Sequence, residues 1–173
     1  VERTRDGETT TLNSAVGFNS IPGDILTFSL PIENRGIATS PATTVQFLLD
    51  GNVLSTSSST TVPAIGPYST YRVELEYTVQ VDQAIGTSTF SYIVDPTQSV
   101  TEDADRTNNQ GNVNLFFGRL PTSNMTSTEG KFTWQNIILD ASASFDEDGG
   151  NIECMFEIEY KPSLITRIYA ENC

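Results

Sequence analysis

The sequence has no histidine, and among its 173 residues only two cysteines, one tryptophan and nine basic side chains. Without an imidazole, Ser-His-Asp and Cys-His catalysis are excluded and the commonest transition-metal ligand is missing, so any hydrolysis would rest on carboxylates alone. No stretch approaches the roughly 18 apolar residues of a membrane-spanning helix, and direct membrane insertion is not expected. No apolar stripe at helical spacing persists for three turns, which excludes a helical domain. The N-terminus, VERTRDGETTT, has neither an initiator methionine nor an apolar signal core. The expectation is a piece of a longer protein whose targeting and anchoring segments lie elsewhere.

What the chain has is acid: 22 Asp and Glu against nine Lys and Arg, a formal net charge of -13. That charge repels phosphate backbones and anionic headgroups, so neither nucleic acid nor a lipid surface is an expected partner. The two cysteines, Cys154 and Cys173, have neither zinc-ligand nor CxxC spacing. A disulfide between them would close a loop of about 20 residues, contribute on the order of 3 kcal/mol and place the chain in an oxidising compartment; two separate thiols are the alternative. Asn124-Met125-Thr126 has the pattern of a glycan acceptor, one that also arises by chance.

Apolar side chains recur with period 2, which predicts an all-β chain. After a polar leader, a strand is expected at 15–18. A second, at 25–34, turns Leu26, Phe28, Leu30 and Ile32 to a core, with an edge or bulge required at Pro31 because proline cannot donate to a ladder. Strand 44–50 is followed by Asp50-Gly51, a hairpin signal, and a return at 53–56. Pro63 to Tyr68 form a rigid turn, with Tyr68 expected to pack on it. The longest strand, 70–81, puts Tyr71, Val73, Leu75, Tyr77, Val79 and Val81 on one face; strands at 87–94 and 112–117 complete the unit. Seven strands at this spacing describe an immunoglobulin-like antiparallel β-sandwich ending near Gly118. From Arg119 on, strands at 131–134, 137–139 and 152–160 suggest a second, partial β-sandwich unit over 119–173, too small for a full core and so prone to an exposed edge and edge-strand dimerisation.

Within this frame residues 1–118 resemble the CARDB family, cell-adhesion-related domains with an immunoglobulin-like fold. The likeness is carried by LTFSLPIENRG at 26–36, FLLDGNV at 47–53, Ile65-Gly66-Pro67, and Asp95-Pro96 followed by Val100, Glu102 and residues 105–109, and it covers about 16–117. The sequence departs from the family at Asp103-Ala104-Asp105-Arg106-Thr107, where a shorter glutamate-centred turn is usual. Residues 138–150, reading ILDASASFDEDGG into a strand at Ile152, resemble the opening half of a PKD-type domain. Both resemblances imply a noncatalytic extracellular module for adhesion, spacing or ligand presentation in a larger secreted or cell-surface protein. Its partners would be a protein or carbohydrate at a cell surface and the neighbouring domains of the parent chain. An accessory carbohydrate- or substrate-binding module of a secreted hydrolase is the alternative.

Calcium is the cofactor to weigh, because a hard cation takes convergent oxygen ligands from flexible acidic loops. One candidate set is Asp140, Asp146 and Asp148; the other is Asp95, Glu102, Asp105 and Asn108. Neither is an EF-hand. In each loop the reading placed ahead of an ion has the carboxylates hold their own turn by accepting backbone amides. Glu74 and Glu76, and Glu153, Glu157 and Glu159, lie along single strand faces rather than across a cleft, as a glycosidase pair must. No enzyme is expected. Trp134 is assigned to core packing beside Phe132.

Overall fold

A computed structural model describes residues 1–13, 18–54, 60–128, 138–149, 151–161 and 164–170. Two compact units divide at Gly118/Arg119.

The first unit opens with a hairpin, β1 (Glu2–Arg5) and β2 (Glu8–Thr11). Asp6 and Gly7 between them both have positive φ, 51° and 83°, the backbone of a type I′ turn whose twist matches the flanking strands. The expected polar leader is therefore a hairpin; its Asp-Gly signal stands in the sequence, but the threonine-rich strands around it lack the apolar alternation that marks a buried face. A short β3 (Asn19–Ser20) follows, while the strand expected at 15–18 falls mainly on 14–17, outside the described residues.

The long strand β4 (Ile25–Asn34) buries Leu26 and Phe28. Beside it, β1 reaches only from Ile25 to Thr27, so Pro31 stands on a flank free of described strands, as its missing N–H requires. β5 (Thr43–Leu49) turns at Asp50-Gly51, φ 49° and 79°, into β6 (Asn52–Val53), and β7 (Thr61–Val62) returns to pair with Thr43 and Thr44. β8 (Ser69–Thr78) buries Val73 and Leu75. It is shorter than expected: Val81, assigned to the same face, lies beyond its end in a turn and is 84% exposed.

β9 (Gly86–Val94) leads through a loop containing a 3-10 turn at Arg106–Asn108 into β10 (Gln110–Phe117). Two sheets result, ordered β2-β1-β4-β8 and β3-β10-β9-β5-β6, antiparallel except for the β3/β10 pair. Their inner faces meet where Phe28 of one stacks on Phe90 of the other at 6° between ring planes, with Phe47 tilted against Phe90. Val45, Leu115 and Phe117 belong to the same core, as do Leu12, Val62, Ile65 and Val79. Burying each such side chain contributes about 1.5 to 3 kcal/mol, and together these contributions are the main force holding the sheets against each other.

The second unit contains β11 (Thr126–Ser127) paired with β12 (Leu139–Asp140), and β13 (Cys154–Lys161) paired with β14 (Leu164–Ala170) across a bulge between Glu159 and Lys161. The strand expected at 131–134, with Trp134 and Phe132, and Ile137 of the next, lie outside the described residues. β14 is a strand that the sequence pattern does not announce, because LITRIYA follows a proline-serine break and mixes arginine with apolar residues. Among the described residues of this unit Ala141 is the buried hydrophobic one, whereas Leu120, Met125, Ile138, Phe145 and Met155 are exposed. Among the described residues no third strand flanks β13 or β14.

Candidate functional site

At Asp95 the chain leaves β9. Its φ of 51° lies in the left-handed region that aspartate tolerates better than most residues, and its amide donates to the Thr44 carbonyl at 2.9 Å. Val94 donates to the Asn109 carbonyl at 2.7 Å, so the intervening loop leaves and re-enters the sheet at one point.

The Asp95 carboxylate is 4% exposed and filled by donors. Oδ1 accepts from Thr43 Oγ1 (2.8 Å), the Ser99 amide (2.9 Å) and Ser99 Oγ (2.7 Å); Oδ2 accepts from the Val100 amide (3.0 Å) and Arg106 Nη1 (3.2 Å). Arg106 also donates to the Val100 carbonyl. Burial disfavours the carboxylate's charge, but the bonds from Ser99, Val100 and Thr43 outweigh it and hold its pKa far below the ordinary aspartate value.

The other candidate ligands of this loop do not join it. Asp105 caps the 3-10 turn by accepting from the Thr107 amide at 3.1 Å and from its hydroxyl, bonds that lower its pKa. Asp103 accepts from Asn109 Nδ2 at 2.7 Å. Glu102 and Asn108 are exposed.

In the second unit, Asp140 accepts the Ser142 amide (2.9 Å), Asp146 the Asp148 amide (3.2 Å) and Asp148 the Arg119 amide (2.9 Å). Asp140 and Asp146 therefore hold local turns, and Asp148 ties its loop to the start of the unit. Asp146 and Asp148 are also hydrogen-bonded to one another, which pushes the Asp146 pKa up and holds that of Asp148 down. Among the described residues no three Asp, Glu or Cys side chains converge as a metal site would need. Cys154, at the start of β13, is not a free thiol, and Cys173 lies outside the described residues.

What the sequence did not reveal is a cleft of about 960 Å³ in the first unit, between the 34–41 segment and the Asp95 loop. Ile32, Val62, Ile65 and Val94 supply its apolar lining. Asn34 shapes one wall: its Oδ1 accepts from the Gly36 amide (2.9 Å), while Nδ2 donates to the carbonyls of Ala38 and Ile65 (2.8 Å each). Ile37 lines the mouth, 84% exposed. An isoleucine inside the otherwise polar turn NRGIATS was the available signal. The aromatic in the lining is Tyr92, whose ring crosses Gly111 on β10 so closely that a Cβ there would meet its hydroxyl at 2.8 Å. Tyr68, expected to pack on its turn, instead has a positive φ of 54° and is 71% exposed.

Residues 11–113 match the CARDB family. The chain belongs to the CARDB family. CARDB is a noncatalytic, cell-adhesion-related domain family. The match runs from the end of β2 into β10 and so takes in most of the sandwich and the whole Asp95 loop. Among solved structures, the CARDB domain of a Pyrococcus furiosus protein, crystallised in complex with di-metal ions, is 17% identical at a TM-score of 0.50, covering 58% of this chain and 80% of that one. This likeness is one of fold. A solution structure of the same CARDB domain is 15% identical at a TM-score of 0.47, covering 57% of this chain and 84% of that one. A domain of a Methanosarcina acetivorans protein provisionally assigned to the cell surface is 23% identical at a TM-score of 0.39, covering 58% and 80%. No curated protein matches the chain. No helix among the described residues is long and apolar enough to cross a membrane.

Proposed function

We propose that this CARDB domain is a noncatalytic adhesion, spacer or ligand-presenting module of a larger secreted or cell-surface protein, and that it presents the cleft between the 34–41 segment and the Asp95 loop to a partner. The observation that carries this is the state of the loop's carboxylates. Asp95 is consumed by five hydrogen bonds, and Asp103 and Asp105 by bonds within the loop. Such groups build a stiff wall, and a wall ordered before binding loses less entropy when a partner docks. None is poised to move a proton, and the sequence offers no imidazole in their place.

The accessory carbohydrate-binding alternative draws less support, because sugar rings call for exposed aromatic faces and among the described residues the lining supplies only Tyr92, half-buried across Gly111. The second unit is read as the opening part of a PKD-like domain, with Cys154 and Cys173 joined. If calcium enters this protein, the Asp146/Asp148 pair is the place with charge to relieve.

The test is adhesion itself. Beads coated with the full chain should retain cells or extracellular protein, the soluble chain should compete, and an alanine-serine replacement of residues 102–105 should reduce retention. No retention above uncoated beads, or hydrolytic turnover that follows the purified chain, would overturn the proposal.

A further inference from the structure

Among the described residues, the arginine that lines the cleft, Arg35, and the one in its loop wall, Arg106, are already engaged. Arg35 is bonded to Glu33 at 2.8 Å and Arg106 to the buried Asp95. On the same rim Glu102, Asp103 and Asp105 have no cation against them among the described residues; Asp103 and Asp105 meet only neutral amide and hydroxyl donors. The rim thus keeps an excess of negative charge above an apolar lining, inside a chain of net charge -13 that draws cations toward it.

From this we infer that the cleft takes a short extended segment of a partner protein in which a branched aliphatic residue is flanked by lysine or arginine. The aliphatic side chain would contact Ile37 and the lining at Ile65 and Val94, and the basic ones would face Glu102, Asp103 and Asp105. A bare metal ion fits poorly, because these carboxylates do not converge. The volume, about 960 Å³, is at the upper end of small-molecule pockets and suits several residues of peptide. Nucleic acid and acidic peptides would be repelled.

This inference rests on the cleft being the presenting surface, and the experiment separates the two ideas. The isotope-labelled full chain is titrated with three blocked hexapeptides that alternate valine with lysine, serine or glutamate. Expected is a saturable shift of the Ile37, Val94 and Asp103 amides with the lysine peptide alone, weakening roughly tenfold between low salt and 0.5 M salt as screening sets in. Glu102→Lys and Ile37→Ser, both at exposed positions, should each weaken it several-fold while the Leu75 and Phe117 resonances stay in place. If the serine peptide shifts the same amides as strongly, the basic partner is refuted and the presenting cleft stands. If no peptide moves them, or the lysine peptide shifts residues all over the surface, the inference fails; adhesion retained by the coated beads would then place the presenting surface elsewhere.

Discussion

Replacing Asp95 by asparagine should cost the first unit a large part of its stability. Asparagine keeps one acceptor oxygen. If it replaces Oδ1, the new amide nitrogen faces the Val100 amide and Arg106, two donors that then have nothing to donate to. Arg106, whose guanidinium is pulled into the loop by Asp95 and the Val100 carbonyl, loses its counter-charge. Removing one partner of a buried, hydrogen-bonded ion pair costs about 3 to 5 kcal/mol, and because the Arg106 side chain is 31% exposed the lower end of that range applies. Against a typical domain stability of about 5 to 15 kcal/mol, that is a fall in melting temperature of roughly 10 to 25 °C. The pH dependence gives a second reading. Because the folded pKa is depressed, the unfolded chain takes up the proton first on acidification. The stabilisation is therefore complete above the ordinary aspartate pKa of about 4 and is lost as pH falls below it toward the folded value. In Asp95→Asn that acid limb should flatten, leaving the slope due to Asp24 and Asp105. Burial opposes the charge of Asp24, yet bonds from Arg5 and the Ile21 amide hold its pKa down too. Unfolding should be followed by hydrogen exchange at the Phe90 and Leu115 amides, since the single tryptophan, Trp134, belongs to the second unit. A loss below about 1 kcal/mol, or an acid limb that superimposes on the parent's, refutes the clamp.

Three further outcomes are expected. Gly111→Ala should destabilise the first unit by about 1 to 3 kcal/mol, because the new Cβ meets Tyr92 at 2.8 to 3.0 Å, and Tyr92→Ala in the same chain should erase most of that penalty in denaturant melts. Asp24→Ala strands Arg5, whose Nε and Nη2 each reach the buried carboxylate at 2.7 Å, and should cost about 3 kcal/mol in the same melts. Calcium and chelator melts of the first unit should coincide, since a cation could enter the Asp95 carboxylate only by displacing its protein donors; a calcium-dependent rise would show another site.

The period-2 pattern reveals β4, β5, β8, β9 and β10 because each has one face in the core and alternates accordingly. Where neither face is buried, as in the β1/β2 hairpin, that signal vanishes; β7 buries Val62 but is two residues long, too short to show a period, and the alternation runs on to Val81 although the strand ends at Thr78. The site shows the same boundary from the other side. Asp95 is legible as the pivotal carboxylate of an acidic turn, but its task depends on how many donors surround it. Two donor residues, Ser99 and Val100, are near in sequence; Arg106 is 11 residues away and Thr43 is 52. Only the pairing of β5 with β9, which sets Val45 opposite Val94, brings Thr43 to that carboxylate. A cation ligand and a loop clamp share one sequence signature, and the sheet decides between them by supplying protein donors where an ion would otherwise sit. The cleft depends on the same closure, because Asp95 anchors the loop that forms its wall. An intact clamp should therefore be a condition for binding, although no partner need touch Asp95.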